Sequence, residues 1–233
     1  LNVGLTNLAF NGKTVTLGNA GTLGTLLLNK DLTDASGALT FASNEGLIVA
    51  NADPVRIAPQ ITGPMTLSIL AGVDNINATG NRTIRLSNTN NTFTGGLHIL
   101  VGRVMPESTN ANVFGSGDIW VHGLPGTFTE PDTANHNAFG GQLYLLGGVL
   151  TNRLYLSGQG SEGFAALRLS GNVTVASEIN VTNRATIRVD TNTVAALTGE
   201  IKGNSLLRLF AENGSTLTVS RPDRKSTRLN SSH

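Results

Sequence analysis

Within one short stretch of the chain stand two imidazoles and two carboxylates: His122, Glu130, Asp132 and His136. These are the donor types that hold zinc or a harder divalent ion. Their spacing matches no ligand signature, and Pro125 and Pro131 punctuate the stretch 122–140. A solvated loop projecting from a scaffold is the expected form, and it is the first place to look for a site. Other acids are scattered, among them Glu107, Asp118, Glu162, Glu178, Asp190 and Glu200. Sugar-cleaving chemistry needs paired carboxylates, or a carboxylate beside a base, on one face. Arg85, Arg168 and Arg188 lie in alternating runs such as Thr83-Ile-Arg-Leu-Ser87 and Thr186-Ile-Arg-Val-Asp190, so they could line one outward face with Asp190. Trp120 and Tyr144 have rings that could stack on sugars, but buried strand positions are expected for both. There is no Gly-x-Ser-x-Gly, no phosphate-binding loop and no aspartate-rich calcium repeat. Neither catalysis nor a cofactor is expected of this segment.

The elements that would carry these residues are strands. Of 233 residues 39% are hydrophobic and only 13% charged, and the polar balance falls to Asn, Thr, Ser and 28 Gly. That is enough apolar material to bury a core, made of poor helix formers that suit strands and turns. Short alternating runs predict strands near residues 14–17, 26–28, 39–41, 47–49, 55–57, 66–70, 83–86, 97–100 and 119–121. Others are predicted near 142–145, 153–156, 166–169, 173–175, 179–181, 186–189, 206–210 and 216–219. Many short strands at near-even spacing fit a sandwich, a barrel or a β-solenoid. Internal repetition favours the solenoid. Ile61-Thr-Gly-Pro-Met-Thr-Leu-Ser-Ile69 aligns with Ile201-Lys-Gly-Asn-Ser-Leu-Leu-Arg-Leu209, and residues 82–87 align with 215–220. At about 20 residues per coil, ten or eleven coils are expected.

The end of the chain reads differently. Residues 223–233, Asp-Arg-Lys-Ser-Thr-Arg-Leu-Asn-Ser-Ser-His, are what a common short-read sequencing adapter encodes. They are expected to be an artefactual, disordered tail, leaving 1–222 as the folding segment. Leu1 is not preceded by a Met, so a solenoid incomplete at both ends is expected. Without the tail, which carries Arg224, Lys225, Arg228 and Asp223, the net charge of +1 becomes −1. No basic footprint for nucleic acid remains. There are no cysteines and no apolar run long enough for a transmembrane helix.

One segment carries a recognisable pattern. Leu86-Ser-Asn-Thr-Asn-Asn-Thr-Phe-Thr-Gly-Gly-Leu-His-Ile-Leu-Val-Gly-Arg-Val104 resembles the autotransporter-associated β-strand repeat, through Asn91, Thr92, Phe93, Thr94, Gly95, Gly96 and Gly102. Phe93 stands where that family usually has Tyr, and Asn88 where a Gly is common. Val113-Phe-Gly-Ser-Gly-Asp-Ile-Trp-Val-His-Gly123 echoes the family's continuation. The best match is therefore 86–123, with a second copy expected to begin near 201–222. As a coil corner the motif is physically sensible. Asn91 can bond its own backbone in a left-handed turn, Gly95-Gly96 permits a sharp bend, and Phe93 can pack inward. Stacked Asn and Thr can form ladders along the rod. The resemblance implies a right-handed parallel β-helix. It further implies a structural or adhesive passenger stalk on the extracellular or outer-membrane surface of a Gram-negative-type bacterium. Glycans, extracellular matrix or other cell-surface components are the implied partners. The rival expectation is a polysaccharide-active β-helix enzyme or a glycan-binding module.

Overall fold

The computed structural model describes residues 1–3, 8–72, 83–123, 140–161 and 165–220. The protein is all-β, a parallel β-solenoid of about 8 turns. Each coil crosses three faces. The first face stacks Gly24–Leu28, Glu45–Ala50, Thr66–Ala71, the first half of Leu97–Pro106, Ile119–Val121, Leu154–Gly158, the start of Ile179–Val189 and Ile201–Gly203. The second stacks Val55–Ile57, Thr83–Leu86, the second half of Leu97–Pro106, Gly141–Leu145, Leu167–Leu169, the end of Ile179–Val189 and Leu207–Ala211. The third is in two pieces: Thr14–Leu17, Ala38–Phe41 and Gln60–Thr62, then Gly148–Leu150, Asn172–Val175, Val194–Leu197 and Thr216–Val219.

Alternation along each strand sends every second side chain inward. Because the strands stack in parallel register, equivalent residues form columns. Leu26, Ile48, Ile69, Ile99, Val121, Leu156 and Val181 make one such column, and none is more than 4% exposed. Burying each of these side chains is worth about 1.5–3 kcal/mol. Each coil thus covers the apolar face of the one beneath, the logic of a solenoid.

The coils number about eight, fewer than the ten or eleven expected, because they are longer than 20 residues. Glu45 pairs with Thr66, but Leu67 pairs with Leu97 and Ile119 with Leu154. The parallel pairing is kept across these longer steps. Five short strands were not predicted: Asn2–Val3, Gln60–Thr62, Gly148–Leu150, Val194–Leu197 and Ile201–Gly203. All but Val194–Leu197 are two or three residues long, too short to show a period. The aligned halves of the internal repeat fall on different faces: Thr83–Leu86 lies on the second, Thr216–Val219 on the third. The adapter-like tail lies outside the described residues.

The motif residues occupy a corner. Phe93 is fully buried. Gly96 has φ +102°, and a Cβ there would meet the Asp118 carbonyl oxygen at 2.8 Å. Gly102, at φ +81°, lies where Leu97–Pro106 passes from the first face to the second. Thr92 and Thr94 are exposed and donate their backbone N–H groups to Ile61 O and Gly63 O, at 2.9 and 3.2 Å. Asn91 departs from the expectation. It is not left-handed, and its side chain serves neighbouring coils: Oδ1 accepts from Ile61 N at 2.8 Å and Nδ2 donates to Val113 O at 2.7 Å. A buried amide facing two unpaired backbone groups is better satisfied by them than by its own turn. A threonine ladder is present too, with Thr40 and Thr62 hydroxyls 2.6 Å apart on successive coils.

Candidate functional site

Chemistry-bearing side chains gather in two ladders on the outer surface. The second face carries Tyr144, Arg168, Arg188 and Phe210 in register on successive coils. Arg103 and Arg168 lie over the Tyr144 ring at 5.3 and 4.7 Å from its centroid, and Arg188 lies 5.2 Å over Phe210. Asp190 ends the network. Its carboxylate accepts from Arg168 Nε at 2.8 and 3.0 Å and from the Tyr144 hydroxyl at 2.9 Å. Arg188 Nη2 pairs with Glu212, whose other oxygen accepts from Thr191 N at 3.0 Å and Thr191 Oγ1 at 2.6 Å. Arg168 and Arg188 therefore join Asp190 as the alternation predicts. Arg85 does not. It stands opposite Met105, near Glu107, which accepts from Arg56 Nε at 2.6 Å.

This cluster is poorly suited to proton abstraction. Burial raises the Tyr144 pKa, and the hydrogen bond to Asp190 raises it further. A tyrosine base needs the opposite shift. Asp190 in turn has its oxygens committed to Arg168 and Tyr144.

The first face carries a charged ladder beside an aromatic one. Arg153 lies 3.9 Å from Asp118 and 3.5 Å from Glu178, while Lys202 lies 2.5 Å from Glu178 and 3.1 Å from Glu200. Next to it His98, Trp120 and Tyr155 stand in register. Trp120 and Tyr155 are parallel to 3°, with centroids 3.7 Å apart, and His98 stacks on Trp120 at 5.7 Å. Trp120 and Tyr144 were expected inside; both point outward and are half-buried. Strands about 4.8 Å apart set equivalent rings face to face. Trp120 thus has rings stacked on it from the coils on either side, and Tyr144 has two guanidiniums over it. The faces that would receive a sugar are taken by neighbours.

Glu178 gives a pH prediction. Hydrogen bonds from Lys202 and Asn180 hold its carboxyl below the usual carboxylate range. In the unfolded chain the same group protonates near 4.5. At pH values between the two, unfolding takes up a proton, so the stability this group contributes is present above about 4.5 and lost as pH falls through its folded pKa. The melting temperature is expected to fall below pH 4.5, and less steeply in Lys202→Met. Equal slopes in calorimetric scans of the two proteins would contradict this.

Of the loop residues singled out from the sequence, only His122 is described; Glu130, Asp132 and His136 lie outside the described residues, as does Glu162. Among the described residues no three His, Cys, Asp or Glu side chains converge as a metal cluster. His122 instead meets His98, which sequence reading passed over: Nε2 of the first lies 3.1 Å from Nδ1 of the second. Residues 24 apart show no local motif; only the coil register brings them together. No helix among the described residues is long and apolar enough to cross a membrane. No protein-family model, curated protein or solved structure matches the chain.

Proposed function

We propose that this chain is a stalk segment of a bacterial cell-surface or secreted protein of the autotransporter passenger kind. It holds adhesive loops away from the cell and catalyses no reaction itself. The observation that carries this reading is the mutual engagement of the outward side chains. On both strand faces with outward ladders, charges and rings engage partners in the next coil, as in Asp118–Arg153–Glu178–Lys202 and Arg168–Asp190–Arg188–Glu212. Such ladders add specificity to coil stacking, although each exposed pair is worth only about 0–1 kcal/mol. An active site would instead keep a carboxylate or base poised for substrate. The residue pattern at 86–123 supports the passenger kind in particular, and Asn91, Phe93 and Gly96 each take up a coil-building position within it.

Adhesion would be carried foremost by the stretch 122–140, with glycans, matrix proteins or other cell-surface components as partners. The test is binding of the whole chain to a glycan array, to immobilised matrix proteins and to cells. Binding lost on deleting 124–139 is the expected result. Binding to none of them would leave a stalk without adhesion, and release of reducing ends from any polysaccharide would overturn the non-catalytic reading.

A further inference from the structure

His98 and His122 come from adjacent coils of the first face, and both project outward. Nδ1 of His98 and Nε2 of His122 are 3.1 Å apart, and the ring planes are inclined by 29°. His98 is held from the side by Trp120, stacked at 5.7 Å. Both imidazoles are half-buried, which restricts the rotamers open to them. Burial favours the neutral form of both rings, His122 favours it further at His98, and Glu45 opposes it there. Two neutral imidazoles facing each other offer either one shared proton or two lone pairs.

The lone-pair arrangement fits a metal ion. At the usual metal–imidazole distance of about 2.0–2.1 Å, nitrogens 3.1 Å apart subtend roughly 100° at the ion. That is close to the cis angle of a tetragonal Cu(II) site and to the tetrahedral angle at Zn(II). We propose that His98 and His122 form a two-imidazole chelate for a divalent transition-metal ion on the outer face of the rod. Cu(II) binds ahead of Zn(II), following the general affinity order for nitrogen sites. Water fills the other positions, since no third His or carboxylate converges there among the described residues. On binding, the proton between the rings moves through solvent to the far nitrogen of the ring that held it. Both near nitrogens then coordinate, with no net proton release. An open site of this kind takes up and gives back its ion readily. Ca(II) and Mg(II), which need oxygen ligands, are not held.

Trp120 reports on the site. It is the one tryptophan in the sequence, and its ring lies 5.7 Å from His98 and 6.5 Å from His122. A paramagnetic ion bound between the histidines quenches its fluorescence. Cu(II) is titrated alone, in a non-coordinating buffer, into the whole chain. The expected result is saturable quenching complete near one equivalent. His98→Gln and His122→Gln each raise the midpoint at least tenfold, and equimolar Ca(II) has no effect. Circular dichroism melts show whether both variants remain folded. Electron paramagnetic resonance of the unaltered chain with Cu(II) gives an answer independent of the variants, through superhyperfine lines from two equatorial imidazole nitrogens. Quenching curves unchanged by both substitutions, no saturable quenching, or a spectrum with one nitrogen would overturn the proposal.

Discussion

Replacing Asn91 with leucine is expected to destabilise the protein by about 2–5 kcal/mol, although leucine is close in size and better suited to a core. The substitution leaves two backbone groups without their partners: the Ile61 N–H, which now donates to Oδ1 at 2.8 Å, and the Val113 carbonyl, which accepts from Nδ2 at 2.7 Å. Asn91 is only 8% exposed, so water cannot replace either bond cheaply. A buried polar group deprived of its partner costs about 1–3 kcal/mol, and here there are two. Asn91→Asp is expected to lose one of the two, because a carboxylate accepts from Ile61 but cannot donate to Val113. The order of urea midpoints should run wild type, then Asp, then Leu. A leucine variant as stable as wild type would mean that these two bonds contribute nothing net.

Phe93→Ala is expected to cost about 3–5 kcal/mol, the range for deleting a buried aromatic ring, and to lower the melting temperature by about 10 °C. Phe93 is fully buried, and its ring lies so close to Gly115 that a Cβ there would sit 2.9 Å from Cδ2. The ring therefore fills space that backbone on the next coil has made by carrying no side chain. Phe93→Leu should recover part of the loss by refilling some of the cavity. A melting curve for the alanine variant within 2 °C of wild type, using that cost as the yardstick, would show that the coil collapses around the gap.

The strand pattern was legible in the sequence because inward and outward residues alternate and glycine or asparagine marks the corners. Thr14–Leu17, Val55–Ile57, Thr83–Leu86, Ile119–Val121 and Thr216–Val219 fall where the alternation puts them. The parallel solenoid was inferred from internal repetition, yet the aligned segments Thr83–Leu86 and Thr216–Val219 fall on different faces, so the fold class was reached through a likeness that is not the register of the coils. What alternation cannot supply is the partner of each outward residue. Whether Trp120 covers Tyr155 or solvent depends on the 35-residue step from Ile119 to Leu154, a length that no local pattern announces. The same ignorance of register hid the His98–His122 contact and placed Arg85 with Asp190. It also gave Asn91 a local role: a turn bond can be inferred from neighbours in sequence, whereas bonds to Ile61 and Val113 cannot.

The third face is interrupted between Gln60–Thr62 and Gly148–Leu150. Across that interval the chain passes through residues 91–93 and a short 3-10 turn, Ala111–Phe114, while the other two faces stay zipped by strand pairing. A rod with two ladder-paired faces and a third that is stitched more sparsely is not equally stiff in all directions. The stitches across the gap are the backbone bonds from Thr92 N to Ile61 O, Thr94 N to Gly63 O and Ser116 N to Phe93 O, with the two bonds of the Asn91 amide beside them. Under a bending load the coil holding residues 86–118 is where such a rod is expected to give first.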